Sequence, residues 1–237
     1  MPASQGACGG AGEIVEVFLP IGAALLSGVL VLSLAGQASA GDTFDRLESL
    51  WTNLHSYQVR IVEHEVMGDQ TSDHELLYEF EKPQHAKLEV VAGTRSGSVI
   101  EWDGGDRILA YRANMSFFKL HRGVHDHDMT SLRGNSILGP NMGDVLACFG
   151  EHRESLREHD GPDIDGEATD EIELPYTDVS CPDDPASDKG ITLDVLDVSK
   201  KTGLILMRRR YEGDQVVERW QLKDYKIDPG PGQAAFR

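Results

Sequence analysis

The sequence predicts a mainly β (α+β) domain, and three observations carry that prediction. After residue 55, short stretches alternate apolar with polar residues, the mark of half-buried strands. Turns containing glycine separate these stretches. Before them, one segment near the start repeats its apolar residues at spacings of three and four. Strands at this spacing, joined by glycine turns, indicate an antiparallel sheet of meander type.

The elements follow in order. Thr43 can cap a helix whose apolar face is Phe44, Leu47, Leu50, Trp51 and Leu54, with Asp45, Arg46, Glu48 and Asn53 turned away. From Tyr57 the period changes: Tyr57, Val59 and Ile61 alternate with Gln58, Arg60 and Val62. Gly68-Asp69 marks a turn. Further strands are expected at 75–81, ended by Pro83, and at 86–91, 98–102, 107–112 and 117–121. Asp103-Gly104-Gly105-Asp106 reads as a tight hairpin, since glycine tolerates positive φ. Residues 141–159 are expected to be helical, with Val145, Leu146, Phe149 and Leu156 inward and Gly150 a weak point. Residues 160–189 are rich in Asp, Pro and Gly and read as an acidic surface excursion with one strand at 171–174. Strands at 191–198, 204–211 and 215–227 close the chain.

The 237 residues suit one domain, and 40% are hydrophobic, enough for a sizeable core. The formal net charge of −18 repels phosphate backbones and argues against nucleic-acid binding. Only Glu13 and Glu16 carry charge among the first forty residues. Residues 18–36 are uncharged, and Ala38-Ser39-Ala40 after them is a small-x-small site of the kind cut by signal peptidase. The segment before the apolar run lacks Lys and Arg, a departure from the usual positive start. Residues 1–40 therefore read as a signal peptide, or as an inner-membrane anchor if uncleaved, and 41–237 as one periplasmic domain. Cys148 and Cys181 remain in that domain. In an oxidising compartment they are expected to pair, the alternative being two small apolar residues.

His121, His125 and His127 share strand parity, and imidazoles so spaced can bind Zn²⁺ or Cu²⁺. A solvated polar loop after the strand is the favoured reading, and no metal site is assigned. The acidic run after residue 160 lacks the ordered ligand spacing of an EF-hand. Ser131 has no nucleophile elbow around it and no assignable base. Arg208 and Arg210 fall on one strand face and Arg209 on the other. They read as a solvated basic face with cross-strand partners such as Glu218, or as an anionic contact. Trp51, Trp102 and Trp220 read as core residues, one of which can line a cavity. No catalytic constellation emerges.

Three stretches together resemble a known family: FEKPQHAKLEV (80–90), WDGGDRILAYR (102–112) and LDVSKKTGLILMRRRYEGDQVVERWQLKDYKID (196–228). Their order resembles that in the outer-membrane lipoprotein carrier and its LolA-like relatives, which include exported families of unknown function. The resemblance implies an antiparallel half-open barrel with helices covering its concave face and an apolar cavity for acyl chains. Lys87 falls near a basic residue important for cargo release, as Lys rather than the usual Arg, and lysine lacks the forked donor geometry. The acidic excursion also departs from the carrier pattern. Ligand-binding residues expected on this basis are Lys87, Leu88, Trp102, Tyr111 and Trp220. The implied function is non-enzymatic: a monomeric periplasmic carrier or binding protein for a lipid or lipoprotein acyl chain, without cofactor. The alternatives are an envelope sensor or protein-interaction module on the same scaffold, and a metal-binding envelope protein.

Overall fold

The computed structural model describes residues 42–176 and 188–228. The described residues belong to one compact unit, and they share one hydrophobic core. The expected leader or anchor at 1–40 and the expected disulfide partner Cys181 lie outside the described residues. Helix α1 (Asp42–Asn53) leads into strands β1 (Ser56–Met67), β2 (Gln70–Glu81), β3 (His85–Gly93), β4 (Ser98–Trp102), β5 (Arg107–Arg112) and β6 (Leu120–Gly123). After helix α2 (Met142–Glu151) come β7 (Arg157–Asp160), β8 (Thr169–Pro175), β9 (Leu193–Ser199), β10 (Ile205–Glu212) and β11 (Gln215–Ile227). No helix among the described residues is long and apolar enough to cross a membrane.

All these strands join one antiparallel sheet in the order β6-β5-β4-β3-β2-β1-β11-β10-β9-β8-β7. The chain runs as two meanders that meet where β1 pairs with β11. The sheet is open, with β6 and β7 as its edges. Directly opposed residues of paired strands share a face, so register alone defines an inner face. Across it run Leu88 and Ile100, Leu76 and Val90, Ile61 and Leu222, and Leu196 and Ile172. Inner residues as distant in the sheet as Ile108 on β5 and Ile172 on β8 join one apolar cluster with both helices. This is the half-open arrangement that the resemblance implies.

The helices sit on that face for identifiable reasons. Phe44 and Leu47 of α1 are fully buried. The first N–H groups of α1 are satisfied from far away: the Glu158 carboxylate accepts from Thr43 N (3.1 Å) and Phe44 N (3.2 Å), relieving the unpaired donors of a helix start. Asn141 caps α2 by accepting from Gly143 N. A Cβ on Gly143 would come within 2.6 Å of the Trp51 ring, so glycine there permits the close approach of α2 to α1. Tyr57 on β1 donates to Pro140 O (2.9 Å) and accepts from Met142 N (3.1 Å), pinning the start of α2 to the sheet.

Two expected elements change. The helix expected at 141–159 stops at Glu151, and Arg157–Asp160 becomes an edge strand. Its charges decide this through pairing: Arg157 lies opposite Glu173 and His159 opposite Glu171 on β8. The strand expected at 117–121 shifts to Leu120–Gly123, leaving Phe117 and Phe118 in the preceding connection. Several other strands extend beyond expectation, notably β1 through Met67 and β2 back to Gln70. The hairpin at Gly104 and Gly105 has positive φ at both glycines, as the turn requires.

Candidate functional site

A strap, residues 124–141, crosses the inner face between β6 and α2. Beneath it lies a cavity of about 490 Å³, within the range typical of small-molecule sites. Its walls are mostly alkyl: Leu76 of β2, Leu88 and Val90 of β3, Ile100 of β4 and Ala110 of β5. Trp220 of β11 and Ile137 and Pro140 of the strap complete the inner end. The exposed lining residues Thr94, Arg95, Arg112, Met115, Phe118 and Leu120 mark its mouth.

One part of the wall is polar. Glu63 and His74 line the cavity and share a hydrogen bond of 3.0 Å. Burial raises the Glu63 carboxyl above its ordinary value, and the bond to Glu63 raises His74. Next to Glu63 on the same face, Glu65 anchors the strap. Its carboxylate accepts from Ser131 Oγ (2.5 Å), Leu132 N (2.9 Å) and Asn135 Nδ2 (2.9 Å). Asn135 also donates to Glu218 (2.9 Å), the residue paired with Glu65 across β1 and β11. Burial, then the neighbouring Glu63 and Glu218, push Glu65 up to about 7. Arg210 lies 3.5 Å from Glu218 and also pairs with Asp188. Arg208 grips Asp194 through Nε and Nη2 (2.6 Å) and stacks on Trp220. The apolar cavity is thus bordered by a buried, hydrogen-bonded charge network.

Of the residues expected to bind ligand, Leu88 and Trp220 lie in the wall. Tyr111 borders the cavity, but its hydroxyl donates to Glu101 (2.6 Å). Lys87 is on the opposite face from Leu88, in register between Glu79 and Glu101, which places it away from the cavity. Trp102 is buried in the core, and its indole closes the β4–β5 hairpin by donating to Gly105 O (2.8 Å). Arg208 and Arg210 share a face as expected, but that face is the buried one, which corrects the expectation of a solvated basic strand. Arg209 pairs on the outer face with Asp197 (2.8 Å) and Glu171 (2.5 Å).

The parity argument for His121, His125 and His127 fails because β6 ends at Gly123, before the second and third histidines. Among the described residues, the group whose ligand atoms gather within 4.8 Å is instead His159, Glu171 and Glu173. Two of its members already face arginines: Glu171 meets Arg209, and Glu173 lies 4.0 Å from Arg157. The Ser131 hydroxyl is engaged by Glu65 as a strap anchor. Sequence reasoning missed Glu63, Glu65 and Asn135 altogether. The one available signal was parity, since Glu63 and Glu65 continue the inward set Tyr57, Val59 and Ile61.

Cys148 is buried on α2. We expect it to pair with Cys181. Alkylation of the oxidised domain without reductant should then leave its mass unchanged, and adding reductant should lower stability by about 3 kcal/mol. Free-thiol labelling of the untreated domain would refute the pairing.

Fold and site together define an open-sheet β protein with helices and a strap over an apolar cavity. That is the half-open arrangement expected from the resemblance of the three sequence stretches. Among solved structures the chain is similar to MucB (18% identity over 85% of this chain, TM-score 0.46), of which it spans 63%. It is similar to the Mycobacterium tuberculosis lipoprotein LppX (14% identity over 81% of this chain and 96% of that one, TM-score 0.45). It is also similar to a LolA superfamily protein from Nitrosomonas europaea (10% identity over 81% and 94%, TM-score 0.38). No protein-family model matches the chain, and no curated protein matches it.

Proposed function

We propose that the chain is a non-enzymatic, exported binding or carrier protein for a lipid or lipoprotein acyl chain. One observation carries this reading: the cavity of about 490 Å³ walled by Leu76, Leu88, Val90, Ile100 and Ala110 and open at one end. Alkyl walls accept a hydrocarbon tail without leaving hydrogen-bonding groups unpaired, and the open end lets a polar head remain in water. The Glu63–His74 pair borders the occupant without needing a partner from it, since the two groups satisfy each other.

Native mass spectrometry of the domain purified from a periplasmic fraction, followed by lipid extraction, tests the proposal. An acyl species bound near one-to-one is expected. A clean unliganded mass with no recovered lipid would overturn it and turn attention to protein partners. Ala110 supplies a sharper check, because it is a small buried residue opposite Ile100 and Leu120 in the wall. Ala110→Phe is expected to fill the cavity and weaken binding of a fluorescent fatty acid by about tenfold or more. Overpacking should cost about 1–3 kcal/mol of stability. Unchanged affinity in the folded variant would count against this cavity as the binding site.

A further inference from the structure

We infer that the β5–β6 connection is a membrane-docking element that seats the cavity mouth on an anionic bilayer. The inference deepens the acyl-chain reading and rests on it for the purpose of docking. Four large apolar side chains stand in water here: Phe117 is 77% exposed, Phe118 63%, Leu120 53% and Met115 42%. The two phenylalanine rings pack against each other at a tilt of 45°, centroids 4.6 Å apart, and form one prong. Met115, Phe118 and Leu120 also line the cavity, so the prong and the mouth are one continuous apolar surface.

Charge around the prong runs against the rest of the chain. In a protein of net charge −18, Arg95 and Arg112 line the mouth together with Asp128, and Lys119 follows the two phenylalanines in the prong. Arg112 donates to the carbonyls of Arg95 (3.4 Å) and Ser96 (2.6 Å), and Arg95 to that of Asp128 (2.6 Å). Carbonyl acceptors fix the guanidinium groups in place without neutralising their charge. Lys119 packs over the Tyr111 ring at 4.8 Å and lies 3.5 Å from Glu101 in an exposed pair, so the two arginines carry most of the local positive charge. Aromatic side chains flanked by cations suit the headgroup boundary of an anionic membrane. A patch built on four apolar side chains is small beside the roughly 1,000 Å² that a stable protein interface needs. A docked prong would bring the mouth to acyl depth, giving a tail a route that avoids water.

The test is co-sedimentation of residues 38–237 with phosphatidylglycerol–phosphatidylethanolamine vesicles and with phosphatidylcholine vesicles. Phe117→Ser is the decisive variant, because Phe117 is exposed and lies outside the cavity wall; Lys119→Glu is the second. The unaltered domain is expected to pellet with the anionic vesicles and less in high salt. Phe117→Ser should lower that partition about tenfold, and Lys119→Glu should reduce it for anionic vesicles only. Fluorescent fatty acid binding in buffer, without vesicles, should be unchanged in Phe117→Ser. Failure of the unaltered domain to pellet, or a Phe117→Ser variant that pellets normally, overturns the docking inference. Loss of docking in that variant, with no fatty acid bound by either form, upholds the docking surface and overturns the cavity reading instead.

Discussion

Arg210→Ala is expected to destabilise the domain by about 3–5 kcal/mol, because it leaves buried carboxylates without their cation. Arg210 and Glu218 are each 1% exposed, and Asp188, the other carboxylate paired with Arg210, is 9% exposed, whereas Asp194 keeps Arg208. In water an ion pair of this kind gains little, but here desolvation has already been imposed on both partners. Removing one therefore exposes the cost of the other. Urea denaturation gives the measurement: a fall in the midpoint without a change in slope is expected. Arg210→Ala combined with Glu218→Gln should lose less than the sum of the two single changes, because the orphaned charge is gone. Arg153→Ala is the control. Its pairing with Asp45 and Glu48 is solvent-exposed, and exposed pairs of this kind contribute little to stability. Equal losses at Arg153 and Arg210 would refute the assignment of the network as buried and essential.

Acidification from pH 8 to pH 5.5 is expected to stabilise the fold, through Glu65 above all. Its carboxyl lies at about 7 in the folded protein against an ordinary 4.5, raised by burial and by Glu63 and Glu218. The native state therefore keeps a proton that the unfolded chain has released between those values. The resulting stability is fully present below about pH 4.5 and is lost as pH rises through about 7. The full difference corresponds to about 3 kcal/mol, of which about 2 kcal/mol falls between pH 8 and pH 5.5. Glu63 and His74 are both raised and act with the same sign. Asp197, raised to about 6 chiefly by burial, adds to the effect. Urea midpoints at the two pH values measure it. Glu65→Gln should flatten the dependence while retaining the strap, since an amide oxygen can still accept from Ser131 and Asn135. A midpoint that falls on acidification, with Glu65→Gln behaving alike, would show that Glu65 is not the titrating group.

Much of the fold was legible in the sequence because it rests on local patterning. Period-two alternation located most strands, and Gly104-Gly105 located a hairpin. The helical spacing of Phe44, Leu47, Leu50, Trp51 and Leu54 located α1. The order of the three family-like stretches also pointed to the open sheet and its covered inner face. Leu88 and Trp220 were expected as ligand residues through the family resemblance, and both line the cavity.

What tertiary structure alone decided concerns charge. An Arg or Glu in a strand normally signals the solvent face, so Glu63, Glu65, Arg208, Arg210 and Glu218 read as exposed or as strand ends. Their burial depends on partners brought from 8 to 83 positions away, several of them on a strap whose own sequence is irregular, and no local pattern encodes that pairing. The same holds for Arg157–Asp160, helical by spacing but a strand once Glu171 and Glu173 lie opposite. Lys87 shows the converse: its neighbours in sequence fit the family pattern, while the register with Glu79 and Glu101 sends it to the outer face. Sequence periodicity determines which residues share a face. Which face becomes the inside, and which charges it can hold there, follows only when distant groups meet and compensate one another's desolvation.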